Sequence, residues 1–263
     1  MYLCILYSIV DKDSIQFNHL EIHKYHTTTS TNDVLKEMAR QNDARHFTTV
    51  WALHQTAGRG QRGNIWMTES GKNLTFSILI ALDGFEVNRS FELNQMVSLA
   101  VWDVLSQYLP QVSIKWPNDI LADAHKIAGI LIENTIQGRF IKYSIIGIGL
   151  NVNQIHFEPE LTKVTSLKKI LQQDFDLEAL LMEIGNALKM RILQLQNGQT
   201  SQIWQNYTDH LMGWKTYKKY INTQEEIFEA AIIGISNEGK IQLRTSESII
   251  RYYDFKEVRW LNE

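Results

Sequence analysis

One loop constrains this chain more than any other feature. Thr48-Thr49-Val50-Trp51-Ala52-Leu53 reads as a strand, and Leu74-Thr75-Phe76-Ser77-Ile78-Leu79-Ile80-Ala81 reads as another. Between them lies Gly58-Arg59-Gly60-Gln61-Arg62-Gly63. Three glycines so close together mark backbone that bends sharply or lies against a ligand. Arg59 and Arg62 add permanently charged donors suited to phosphate or carboxylate. The spacing is literally G-x-G-x-x-G, with Asp83 twenty residues after Gly63. A dinucleotide-binding loop of that pattern opens directly into a helix. Here only ten residues, 64–73, precede the next strand, and they include Gly71. No crossover helix fits there, so a Rossmann unit is excluded. The remaining readings are a loop that holds an anion in another way and a plain hairpin loop with solvated arginines.

Composition narrows the classes further. The 263 residues allow one large domain, or one large and one small, and 44% hydrophobic residues supply a substantial core. A net charge of −3 gives no sign of general nucleic-acid binding. Cys4 is the only cysteine, which excludes a disulfide framework or Cys-rich zinc site and fits a reducing, cytoplasmic setting. Met1 to Val10 is apolar but lacks a basic start and meets Asp11 at once, so it reads as a strand rather than a signal peptide. No apolar run reaches the length of a membrane span.

The pattern predicts a short strand over Ile22–His26 and then a helix carrying Val34, Leu35 and Met38. Ser30, with Asp33 three residues on, has the form of a capping box. A helix is expected over 90–108, capped by Ser90, stopped by Pro110, and apolar on the one face that holds Met96, Val97, Ala100, Val101, Val104, Leu105 and Tyr108. Strands are expected from Val112 through Trp116, where Pro117 ends the run, and at 126–133 and 141–149, with a second long helix at 177–196. Asn118-Asp119 has ordinary turn chemistry. Beyond Trp214 the texture changes to short strand-like runs at 215–221, 227–235, 240–244 and 249–255, with a hairpin signal at Asn237-Glu238-Gly239. The expected division is 1–213 for the main domain and 214–263 for a small appended β-barrel.

Five short motifs then fall in one order. They are Ser30-Thr31-Asn32; Gln55-Thr56-Ala57-Gly58-Arg59-Gly60-Gln61-Arg62-Gly63-Asn64 with Trp66; Lys115-Trp116-Pro117-Asn118-Asp119; Lys126-Ile127-Ala128-Gly129-Ile130-Leu131; and Gly147-Ile148-Gly149-Leu150-Asn151. Their order and spacing resemble the biotin–protein ligases, from about Ile22 to Asn153 by motif. The resemblance implies an α/β (α+β) catalytic domain on a mixed β-sheet, of the class II aminoacyl-tRNA synthetase and biotin ligase type, followed by a small SH3-like β-barrel. It implies activation of biotin by Mg²⁺-ATP to biotinyl-5′-adenylate, then transfer of biotin to a lysine of a biotin carboxyl carrier protein. The family's biotin contacts fall on Ser30, Thr31, Asn32, Gln55, Arg59, Gly60, Gln61 and Lys126. Arg62, Asn64, Trp66, Asn118 and Asn151 fall on the nucleotide side. No metal ligands are identified. The expected partners are the carrier, biotin and ATP, with no membrane. Some family members carry an N-terminal DNA-binding domain. Few residues precede the first motif strand, so that domain and DNA binding are expected to be absent. Relatives often pair edge to edge, so a homodimer is a further possibility.

The chemistry suits these residue types. The carboxylate of biotin must attack the α-phosphate of ATP, and two anions repel. Lys126, Arg59 and Mg²⁺ are the natural charges to place between them. The ureido head needs neutral donors and acceptors, which Ser30, Thr31, Asn32 and Gln55 can supply. A glycine loop folded over a mixed anhydride keeps water away. Asp119 is a candidate for orienting or deprotonating the acceptor lysine. The sequence departs from many relatives at Gln61 and Asn64, where arginine is frequent, and Arg62 is close enough in sequence to compensate. Two rival readings stand beside this one. A lipoate–protein ligase usually carries an Arg-Arg pair ahead of three glycines, which is not found. A non-enzymatic biotin-binding module would not need both the glycine loop and Lys126.

Overall fold

The computed structural model describes residues 20–159 and 161–261, without the side chain of Arg62. The strand expected over Met1–Val10 lies outside the described residues. β1 (Glu21–Thr28), β2 (Thr48–Gln55), β3 (Leu74–Glu86), β4 (Val112–Lys115), β5 (Asp119–Ala122), β6 (His125–Gln137) and β7 (Phe140–Leu150) form one seven-stranded sheet. Its order is β1-β2-β3-β7-β6-β5-β4. β1 runs parallel to β2, and every other neighbouring pair is antiparallel. The sheet is therefore mixed, and β2 returns directly into β3 with no crossover helix, as the short spacing after Gly63 requires.

Helices cover both faces. α1 (Thr31–Arg40) packs on β2, β3 and β7, closing a small core of Leu35, Val50, Leu79 and Ile145. α2 (Ser90–Tyr108) lies on the other face, against β4, β5 and β6. α4 (Leu177–Gln196) and α5 (Thr200–Asp209) cover α2 in turn, while the short α3 (Leu167–Leu171) follows β7. The periodicity predicts one buried face for α2, but the helix is sandwiched. Phe91, Leu93 and Leu99 are as buried as Met96 and Val101, because layers lie on both sides. Ser90 is the first helical residue rather than the cap, and a 3₁₀ turn over Val87–Arg89 leads into it. Between α2 and α4, buried Arg191 forks onto Asp103 at 2.7 and 2.6 Å, the bidentate geometry that guanidinium favours. No helix among the described residues is long and apolar enough to cross a membrane.

The C-terminal strands β8 (Tyr217–Asn222), β9 (Ile227–Ile235), β10 (Ile241–Thr245), β11 (Ile250–Tyr253) and β12 (Val258–Trp260) form a separate antiparallel sheet. Its order is β11-β10-β9-β8-β12, so β11 and β12 remain edges, and only an isolated bridge joins Phe255, in the segment after β11, to Val258 of β12. The strands thus approach a barrel without a closed ladder. This sheet docks on the first. Trp116 donates its indole N–H to the carbonyl of Gly239 at 2.9 Å and meets Phe255 edge-on.

Candidate active site

The register of the large sheet creates an opening on its α1 face. Thr75, Gly149, Gly129 and Asp119 align across β3, β7, β6 and β5. Two residues along, Ser77 of β3, Gly147 of β7 and Leu131 of β6 align in the same way. Side chains two apart share a face, so three glycines remove the side chains from the floor of one patch. The absence of a Cβ is used at each. A Cβ on Gly147 would collide with Asn32 Oδ1, and one on Gly149 would lie inside the Trp66 indole. At Gly129 it would come within 3.0 Å of that ring.

At one end of the patch the helix start of α1 is wired to the sheet. Ser30 occupies the N-cap position with extended backbone but makes no side-chain cap bond, so the expected capping box is not formed. Gln55, at the end of β2, does that work instead: its Oε1 accepts from the Thr31 N–H at 2.8 Å. Ser30 lines the cavity. Thr31 Oγ1 lies 3.2 Å from Gln55 Oε1 and 2.7 Å from Ser77 Oγ. Ser77 also reaches Asn32 Oδ1 at 2.5 Å, and Asn32 Nδ2 donates to Glu133 at 2.8 Å.

The glycine loop forms the other end. Gly58 must be small because a Cβ there would strike the carbonyl of Trp66, and Gly63 sits at φ +83°. Residues 61–63 make one 3₁₀ turn. Arg59 forks onto Asp33 at 2.6 Å and Glu133 at 3.0 Å, which ties the loop to α1 and β6. Asn64 accepts from Lys256 of the C-terminal sheet at 3.3 Å. Lys126, at the mouth of β6, pairs with Asp119 at 2.7 Å and stands 5.4 Å over the Trp66 ring. The indole N–H of Trp66 is buried with no protein partner.

Ser30, Thr31, Asn32, Gln55, Arg59, Gly60, Gln61, Asn64, Trp66, Asn118 and Lys126 line a single cavity. The structure therefore brings together most of the residues expected from sequence. Two stand apart. Asn151 is buried outside the lining, and its amide donates to the carbonyl of Thr165 at 3.1 Å. The side chain of Arg62 lies outside the described residues. Asn118 lines the cavity but is also structural, donating to the carbonyl of Ile130 at 2.5 Å. Sequence reading missed Ser77, Glu133 and Phe255. A signal existed for the first: Thr75 and Ser77 are the polar alternates of an otherwise apolar strand run. Phe255 belongs to the distant C-terminal segment, and only folding brings it to the cavity.

The enclosed space is about 90 Å³, below the roughly 300–1,000 Å³ usual for small-molecule sites. Trp66 takes up the room over Gly129 and Gly149, so a sizeable ligand must lift the loop that carries it. Among the described residues no three His, Cys, Asp or Glu side chains converge as a metal site. The acid that lines the cavity, Asp119, is engaged by Lys126.

Residues 24–151 match the model of the biotin/lipoate A/B protein ligase family. The bifunctional ligase/repressor BirA of Bacillus subtilis is 29% identical over 252 residues, covering 92% of this chain and 74% of that protein. Residues 24–151 thus form a domain of the biotin/lipoate A/B protein ligase family. A second relative, the biotin–[acetyl-CoA-carboxylase] ligase of Mycobacterium tuberculosis, is 31% identical over 175 residues, 65% of this chain and 63% of its own. The fold agrees with that of the Aquifex aeolicus biotin protein ligase solved with biotin and ATP. The TM-score is 0.76 at 24% identity, over 91% of this chain and 99% of that one.

Proposed function

We propose that the protein activates biotin with ATP to biotinyl-5′-adenylate and transfers biotin to a lysine of a biotin carboxyl carrier protein. The observation that carries this reading is the polarity of one cavity. Its α1 end offers neutral hydroxyls and amides, and its loop end offers Lys126 beneath a glycine loop. A urea ring and a carboxylate on one apolar chain match that order. The dithiolane ring of lipoate would leave the Gln55 amide N–H and the Ser30 hydroxyl unpaired, a costly arrangement in a buried site. The name of the Mycobacterium tuberculosis relative favours the same acid.

In the first step the biotin carboxylate oxygen attacks the α-phosphorus, and pyrophosphate leaves. Lys126 neutralises charge that grows on the bridging and non-bridging oxygens, and Arg59 joins it once released from Asp33 and Glu133. Trp66, Asn64, Asn118 and Arg62 form the nucleotide side, with Asn151 supporting it from behind. In the second step the acceptor amine attacks the acyl carbon and AMP leaves, with Asp119 taking up the amine's proton. Among the described residues the acids do not form a seat for a resident Mg²⁺, so the ion would enter with the triphosphate as Mg²⁺-ATP, where it would supply charge neutralisation. Residues 1–213 act as the catalytic domain and 214–263 as the accessory domain. The test is ATP–pyrophosphate exchange with biotin and then with lipoate. Exchange with biotin alone is expected. Exchange with lipoate alone, or with neither, overturns the reading.

A further inference from the structure

Two residues behind the cavity determine which way its Asn32 amide faces. Neither Ser77 nor Glu133 lines the ligand space, yet each bonds a residue that does. An ionised carboxylate only accepts hydrogen bonds. Glu133 therefore obliges Asn32 to turn its nitrogen outward, at 2.8 Å, and its oxygen toward Ser77. A carbonyl cannot donate, so the single proton of Ser77 goes to Asn32 Oδ1 at 2.5 Å. Ser77 Oγ then accepts the proton of Thr31, which lies nearer to it, at 2.7 Å, than to Gln55, at 3.2 Å. Gln55 Oε1 is filled by the Thr31 backbone N–H at 2.8 Å, and its nitrogen is left for the cavity. Gly147 leaves the space that Asn32 needs for this pose.

We infer that Glu133 and Ser77 are positioning residues that lock the Asn32 amide in one hydrogen-bonding sense, beside a Gln55 fixed by the Thr31 backbone N–H, and so make the site selective for a neutral cyclic urea. The inference rests on the biotin reading and deepens it. The ring end then presents Gln55 as a donor to a carbonyl oxygen, with a lone pair of Asn32 and the adjustable Ser30 hydroxyl for the flanking N–H groups. An analogue with an imine in place of that carbonyl sets N–H against N–H. Glu133 cannot donate, so it fixes the direction of Asn32 and Ser77, while the Thr31 backbone N–H, which can only donate, fixes Gln55. A glutamine at 133 would let the Asn32 amide and the Ser77 hydroxyl reverse.

The experiment compares kcat/KM in pyrophosphate exchange for biotin and for 2-iminobiotin. Glu133→Gln is expected to narrow the preference for biotin about tenfold or more. Ser77→Ala is expected to raise the KM for biotin about tenfold while leaving the KM for ATP unchanged. Asp33→Asn is the control, because it removes the other carboxylate on Arg59 without touching the network; its preference should stay at the wild-type value. Circular dichroism establishes that each variant is folded. A folded Glu133→Gln protein with the wild-type preference overturns the assignment. So does an equal loss in Glu133→Gln and Asp33→Asn with the preference intact, which would make Glu133 an anchor for Arg59 only. Wild type that shows no exchange with biotin fails the biotin reading itself, and this assignment with it.

Discussion

The two ends of the cavity are built on opposite plans. At the α1 end the polar groups are almost fully buried: Asn32 is 2% exposed and Ser77 0%. They sit on a helix start and two strands, and each is bonded to the next. At the loop end Arg59 is 41% exposed and held by two carboxylates. Gly58, Gly60 and Gly63 interrupt the backbone, and the Trp66 indole fills the floor. Groups on regular elements are held more precisely than groups on loops, and a loop with surface ion pairs opens at little cost. With the proposed activity, the rigid end suits recognition of a neutral ring. The glycine-loop end suits admission of the ligand and charge neutralisation.

The sharpest way to separate the ends is to remove charge from one of them. Lys126→Ala is expected to lower adenylate formation by roughly 10²–10³, about 3–4 kcal/mol, with biotin binding at the α1 end largely kept. Lys126 stands at a strand mouth, where its side chain makes one ion pair with Asp119 and lies over the Trp66 ring, so the thermal midpoint should fall only slightly. Near wild-type pyrophosphate exchange in the folded variant would remove Lys126 from the chemistry.

A second change adds charge to the moving end. Charge-assisted hydrogen bonds contribute about 1.5–3 kcal/mol each. Gln61→Arg is therefore expected to slow adenylate dissociation roughly 10–100-fold and to reduce stray labelling of bystander lysines. The dissociation rates of wild type, Gln61→Arg and Arg62→Ala decide the matter. Equal rates for the first two would mean that the loop holds the intermediate through its backbone. A large change in Arg62→Ala alone would show that Arg62 has taken over the role.

Two glycines on one strand compare the ends directly. Gly147→Ala pushes on Asn32, which bonded neighbours hold in place, while Gly149→Ala pushes on Trp66, which rides on the loop. Overpacking costs about 1–3 kcal/mol where the neighbour cannot yield. The KM for biotin should rise more in Gly147→Ala, and the tryptophan fluorescence should change more in Gly149→Ala. The reverse pattern would mean that the α1 end is the adaptable one.

Much of this plan is legible in the amino-acid sequence, and the rest is hidden there for physical reasons. Local periodicity predicts β2, β3, α2 and α4 because each is long enough to repeat its pattern. The short helix α5 and the three-residue β12 are not, and the sequence pattern does not reveal them. Ser30 and Asp33 have the spacing of a capping box, yet Gln55 caps the helix and Asp33 bonds Arg59. Spacing along the chain cannot tell a local bond from one made across twenty-six residues. Glu133 and Ser77 are hidden for the same reason: their partners come from α1, and only the sheet register brings them together.

The smallest effect lies outside both ends. Burial lowers the pKa of His46, with Asp83 opposing, and its Nδ1 accepts from the Ala81 N–H at 3.0 Å. Burial also lowers that of His210, which stacks on Trp102. Both rings bind protons more weakly when folded than when unfolded. Stability should be full above about pH 6.5 and should fall as the pH drops below that toward the depressed folded values. Urea unfolding midpoints measured from pH 7.5 to 5 check this, and a midpoint that rises on acidification contradicts it.

Hydrogen exchange with and without biotin and Mg²⁺-ATP tests the division of the cavity most directly. The amides of residues 58–66 are expected to gain protection when the ligands bind. Those of residues 74–78 in β3 should already be protected and should not change. No gain in the loop, or an equal gain at both ends, would contradict a rigid recognition end served by a moving loop.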